Sequence, residues 1–140
     1  MRRILKGLGL GGMIVLAFGA VAVTSALAST VTKSVTQNGM GVGECTFVNV
    51  GDKCQIKYTV TGEGDGWKVV GNNWEGMKAE ERYKKTVGCT VGKILKDGEN
   101  CTDVIEMVKK EAGTENKWCV SWSDEDGGLQ NVPMCTKLKM

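Results

Sequence analysis

The sequence contains no histidine and a single proline, and only 6% of its 140 residues are aromatic. Without an imidazole, Ser-His-Asp triads, His-ligated zinc, c-type haem attachment and histidine pH switches are excluded. No Cys-x-x-Cys occurs, so the common zinc and thioredoxin-like spacings are missing too. No run of Lys or Arg is longer than two residues, which leaves no electrostatic footprint for nucleic acid or an anionic membrane. Gly62-x-Gly64-x-Gly66 is followed by Trp67 rather than by a helix start, so it does not match a phosphate-binding loop. These absences point to no cofactor and no metal.

The one long apolar stretch lies at the N-terminus. Arg2, Arg3 and Lys6 precede an apolar and Gly segment, residues 8–22, and Ala26-Leu27-Ala28 follows it. Basic start, apolar middle and small-x-small end are the parts of a secretory signal peptide. We therefore expect residues 1–28 to be a leader cleaved after Ala28, which makes the mature chain secreted, extracellular or cell-surface. The same stretch is long enough to be retained as a membrane anchor, since about 20 residues span a bilayer. A pilin-type leader cut after Gly7 is a further alternative, but it lacks the acidic residue expected near the new terminus. Three of the 18 basic residues fall in the leader, leaving 15 against 16 acidic ones, a net charge of −1. With the leader gone, no membrane partner is expected.

All six cysteines lie beyond the leader: Cys45, Cys54, Cys89, Cys101, Cys119 and Cys135. An even number in a small exported chain reads as a disulfide framework. Six cysteines permit 15 connectivities. Cys119 and Cys135 are placed symmetrically about Gly127, so a hairpin turning there sets them opposite each other. Cys45 and Cys54 face each other in the same way around residues 49–52. Both observations favour sequential pairing.

Polar residues 29–43 read as a flexible or donated-strand arm ahead of a disulfide-stapled β-rich domain, residues 44–140. Within that domain Cys54, Ile56, Tyr58 and Val60 alternate with Gln55, Lys57 and Thr59, the period of a half-buried strand. A short strand begins at Trp67, and residues 87–95 read as another. Residues 75–85 carry Glu80/Lys84 and Glu81/Lys85 pairs that suit a short exposed helix. Residues 102–112 are ambiguous. Val104, Ile105, Val108 and Ala112 share one helical face, with Thr102 as a cap and Gly113 as a stop, so helix is expected over strand.

Chemistry has few candidates. Asp124-Glu125-Asp126 and the looser pair Glu63 and Asp65 offer hard oxygen ligands for calcium, but they lack EF-hand spacing and read as solvated turns. Paired carboxylates could hydrolyse a glycoside only if correctly spaced about a substrate, and no catalytic residue is assigned. Trp118 and Trp122 lie on the same side of one strand. Exposed, they would stack on a sugar or anchor a protein partner; buried, they would form the core. Asn100-Cys101-Thr102 fits a weak glycosylation sequon.

Residues 50–61, Val-Gly-Asp-Lys-Cys-Gln-Ile-Lys-Tyr-Thr-Val-Thr, resemble the second-strand region of bacterial immunoglobulin-like surface domains. Gly98-Glu-Asn-Cys101 resembles the approach to a later strand, and Cys54, Trp67 and Cys119 are spaced similarly to that fold's Cys, core Trp and second Cys. The resemblance covers about half of the mature chain. It implies a mainly β, small disulfide-stapled β-sandwich, immunoglobulin-like, with one or two short helices. It also implies a Cys54–Cys119 bond, which conflicts with sequential pairing. Lys117 stands where the family's corner Tyr would be. The expected function is a secreted or cell-surface non-enzymatic structural or binding module: an adhesion, surface or filament subunit. Its partner would be an unknown protein or glycan, or another copy of itself. The alternative is a small secreted effector such as a toxin, bacteriocin or protein inhibitor.

Overall fold

The computed structural model describes residues 21–24 and 29–140. Most of the expected leader lies outside the described residues, as does its boundary at Ala28. Two sheets pack face to face. The first contains β1 (Val21–Thr24), β2 (Thr30–Gln37), β3 (Met40–Val42), β5 (Lys53–Thr61), β7 (Tyr83–Thr86) and β9 (Asn100–Met107). The second contains β4 (Cys45–Thr46), β6 (Trp67–Glu75), β8 (Ile94–Leu95), β10 (Glu115–Asp124) and β11 (Val132–Lys139). A single helical turn, α1 (Ala79–Arg82), completes the described elements. The strand orders are β1-β2-β5-β9-β7, with β3 also on β2, and β4-β11-β10-β6-β8. The protein is thus a small, mainly β, disulfide-stapled sandwich. No helix among the described residues is long and apolar enough to cross a membrane.

The alternation in β5 is borne out: Cys54, Ile56, Tyr58 and Val60 all point inward and are fully buried. The terminal hairpin also forms as expected, with β10 and β11 antiparallel, Cys119 directly opposite Cys135 and Gly127 at φ +85° in the turn. All three disulfides are sequential: Cys45–Cys54, Cys89–Cys101 and Cys119–Cys135. The Cys54–Cys119 bond implied by the immunoglobulin resemblance is therefore absent.

Four local expectations are corrected. Residues 29–43 are no free arm: β2 pairs with β5 from Thr30↔Thr61 to Thr36↔Gln55. It buries Val31 and Val35, so apolar burial and a full ladder hold it in its own sandwich. Residues 100–107 are a strand rather than a helix, with Cys101, Asp103, Ile105 and Met107 inward. As a helix, this segment would turn Asp103 away from Val104, Ile105, Val108 and Ala112 to the wet side, whereas its carboxylate is fully buried. Residues 87–95 are mostly loop, because Gly88 and Cys89 donate their N–H groups to Asp103 Oδ1 at 2.8 and 2.9 Å rather than to a ladder. The loop also presses on β9 at Gly88, where a β-carbon would collide with the Thr102 carbonyl. The helix expected over residues 75–85 shrinks to α1, since Tyr83 is drawn into the core and starts β7.

Asp103 joins the two sheets. Its Oδ2 accepts from Trp118 Nε1 at 2.9 Å, so one carboxylate on β9 serves a loop and a core indole on β10. Charge-assisted hydrogen bonds are worth about 1.5–3 kcal/mol each, and orphaned buried donors add a desolvation cost. Asp103→Ala should therefore lower stability by about 3 kcal/mol or more. Urea denaturation under oxidising conditions checks this, and a loss below about 1 kcal/mol would show the carboxylate to be dispensable.

Arg82 makes a second fixed point. Its guanidinium donates to the Met77 carbonyl and to Asn116 Oδ1, and pairs with both carboxylate oxygens of Glu111 at 3.2 and 3.4 Å. The bond from Arg82 holds the Glu111 carboxyl below its ordinary value of 4.5. A depressed folded-state pKa stabilises above the unfolded value and is lost as pH falls through the folded one. The Arg82–Glu111 contribution should be complete above about pH 4.5 and fade on further acidification. Glu111→Gln should make the stability profile flatter below that pH, as measured by thermal melts across the acid range.

Candidate binding surfaces

The two indoles singled out in the sequence are not a surface. Trp118 and Trp122 are both 0% exposed, with Val120 between them on the same inward side. β10 lies between β11 and β6 in the second sheet, so its inward side chains face the first sheet rather than solvent. Trp122 packs on Tyr58 with ring centroids 5.4 Å apart, and Trp118 meets Trp74 edge-on at 4.8 Å. The stacking reading is corrected: both residues build the core. Trp74, only partly buried, is capped by Lys85, whose ammonium lies 5.3 Å from the ring centre, a cation–π contact.

The six cysteines are all engaged in disulfides. Glu75 lies close to Cys119 and Cys135, but those sulfurs are bonded to each other. Cysteine ligates a metal as its thiolate, so these bonded sulfurs leave Glu75 without thiolate partners.

The two acidic stretches, far apart in sequence, come together. Antiparallel pairing of β6 with β10 sets Trp67 opposite Asp124, which brings residues 63–66 beside residues 124–127. Asp126 accepts the N–H of Asp65 on both carboxylate oxygens at 3.3 Å, and Glu125 N–H reaches the Gly66 carbonyl at 3.0 Å. Asp124 Oδ1 accepts from Asp126 N–H at 2.9 Å. Asp124 is only 2% exposed, and its Oδ2 has no partner. The sequence showed each stretch as a solvated turn; only the long-range register joins them.

Lys33 was not legible as a special residue. It points inward between Val31 and Val35, is 5% exposed, and donates from Nζ to the Cys135 carbonyl at 2.6 Å. Burial pushes its ammonium pKa down. The available signal was its even spacing from two inward valines, which suits a strand but does not say which face is buried.

An open concave surface lies at the β2–β3 end. A shallow concavity of about 1140 Å3 is bordered by Gln37, Met40, Val42, Thr46, Val48 and Asp52, among others. Gln37 holds it open, donating to the Thr46 carbonyl and accepting the Thr46 N–H, both at 2.8 Å. The N–H groups of Asn49 and Val48 bond the Asp52 carboxylate and hold its pKa down. Met40 and Val48 stand well exposed here, and Val50 is exposed in the adjoining turn.

No family model and no curated protein matches the chain. Among solved structures it is similar to the VesB protease of Vibrio cholerae, at 18% identity over 77% of this chain and 32% of that one, with a TM-score of 0.47. The chain thus spans about a third of that protease. It is also similar to the GAE domain of GGA2p from Saccharomyces cerevisiae, at 12% identity over 86% of this chain and 96% of that one, with a TM-score of 0.38. At such TM-scores neither likeness informs the fold or the function of this chain.

Proposed function

We propose that the chain is an exported, non-enzymatic structural or binding module that acts outside the cell or at its surface. The observation that carries this reading is the complete pairing of six cysteines in three disulfides within one small sandwich. Such bonds form and persist in oxidising compartments, which agrees with the leader-like N-terminus. Three carboxylates have structural partners: Asp103 holds a loop and an indole, Asp126 the Asp65 N–H, and Asp52 its own turn.

An immunoglobulin-like topology is part of the proposal. The orders β2-β5-β9-β7 and β11-β10-β6 follow the A-B-E-D and G-F-C arrangement of that fold. β4 runs parallel to β11 as an added edge. The partner we favour is a protein, because the indoles that would have stacked on a glycan are buried, whereas Met40, Val48 and Val50 present apolar area at the hairpin end. Association between copies is the related option for a surface or filament subunit.

Expression of the full chain in a secreting bacterial host, followed by fractionation and intact mass, tests the reading. We expect a protein beginning at Ser29 with no free thiol, recovered on the cell surface or as polymer. Freely soluble monomer in the medium would favour an effector instead, and reduced protein in the cytoplasm would sink the export reading.

A further inference from the structure

Ser29, the residue after Ala26-Leu27-Ala28, is only 1% exposed. Its Oγ accepts a buried hydrogen bond from Trp67 Nε1 at 3.0 Å, and Trp67 lies opposite Asp124 across the β6–β10 pair. Gly64 locates the third member. A β-carbon built there would lie 2.5 Å from Asp126 Oδ2 and 3.7 Å from Ser29 Oγ, so carboxylate and hydroxyl flank one glycine, whose φ of +143° admits no side chain easily. The serine's own nitrogen is three bonds from its Oγ. Beside this group sits Asp124, 2% exposed, with Oδ2 unpartnered. None of the ion pairs among the described residues involves Asp124 or Asp126. Asp126 thus flanks the start of β2, and Asp124, which accepts the Asp126 N–H, holds a buried oxygen with no donor. An unpaired buried polar atom is costly, and what is missing is a cation.

Leader removal supplies one. Hydrolysis breaks the Ala28–Ser29 C–N bond; water's oxygen leaves with Ala28 as a carboxylate, and the protons stay on the Ser29 nitrogen. An α-amino group is largely charged at neutral pH. We propose that the Asp124–Asp126 turn is the receptor for the Ser29 ammonium created by processing, which pins the first strand of the mature sandwich. The inference rests on the export reading above. It gives the acidic turn a purpose in the mature chain that it cannot fulfil while Ser29 carries a neutral peptide nitrogen. It also compensates a loss, since β1, which pairs with β2 from Val21↔Lys33 to Thr24↔Thr30, departs with the leader.

The test begins with exported protein whose intact mass shows Ser29 at its start; any other start rejects the export reading, not the pairing. The same measurements on a chain produced with Ser29 first test the pairing in either case. Selective acetylation of the α-amine removes its charge. We expect it to lower the folding equilibrium constant about tenfold or more. Asp124→Asn should cost the free-amine protein a similar factor and the acetylated protein much less. Should Asp124→Asn fail to fold, amine labelling of the unsubstituted protein decides: the native α-amine should react about tenfold more slowly than that of a free Ser-Thr-Val-Thr peptide. Unchanged stability on acetylation, strictly additive effects, or peptide-like labelling would each overturn the proposal.

Discussion

The Asp103 carboxylate is the point on which the sandwich turns. It is wholly buried, and three N–H donors converge on it: Gly88, Cys89 and the Trp118 indole. Those donors belong to a loop and to the second sheet, whereas Asp103 stands on β9 of the first. A buried charge is tolerable only when its oxygens are satisfied, and here that condition can be met only with both sheets and the loop in place. The Cys89–Cys101 bond closes the same loop two residues from Asp103. Covalent and polar restraints therefore act on one spot. With the loop fixed there, Trp118 has a single orientation, and Trp74 and Lys85 stack outward from it.

This arrangement lets the sandwich hold together with disulfides unlike those of the immunoglobulin fold proposed above. In antibody domains a bond between the second and sixth strands ties the two sheets at the centre. Here Cys54 bonds Cys45 at one end, and Cys119 bonds its cross-strand neighbour Cys135 within a sheet. The centre is left to Asp103–Trp118 and to Lys33, which reaches from β2 to the Cys135 carbonyl on β11. Cys45–Cys54 still ties the sheets covalently at one end, and polar ties serve the centre of the core. They are directional, so they select one packing of the indoles, where apolar contact alone would admit several.

The same polar ties mark where the sequence was hard to read. β5 and the terminal hairpin were legible because their periodicity and turn residues agree with their burial, and the sequential disulfides followed from that geometry. β9 and β2 were not, and for one shared reason. Each carries a charged residue at an inward position, Asp103 and Lys33, whose partners are supplied by distant strands. A pattern reader counts such residues as wet, which turns β9 into an amphipathic helix and β2 into a flexible or donated-strand arm. Trp118 and Trp122 show the converse limit. Spacing placed them on one face correctly, but only the position of β10 inside its sheet decides that the face is the core. The meeting of residues 63–66 with residues 124–127 depends on the β6–β10 register, which has no local signature.

The outer edge of β2 brings the chain's processing and its fold together. One half of that edge is covered by the chain's own β3, from Val35↔Val42 to Gln37↔Met40, and the other half by β1. An unpaired edge is a template for other strands, and a protein that is to stay singly folded must blunt it. A chain trimmed after Ala28 keeps β3 but loses β1, so residues 30–33 present open backbone beside a new terminus. Lys33 gives the edge no protection by repulsion, because its ammonium is spent inside on Cys135. Anchoring at Ser29 would keep this short edge flat and in register, which is the condition for a second strand to pair with it. On the proposed cleavage, export and association would be linked through one residue: the cut that freed the domain would also expose the edge and create the charge that holds it in place.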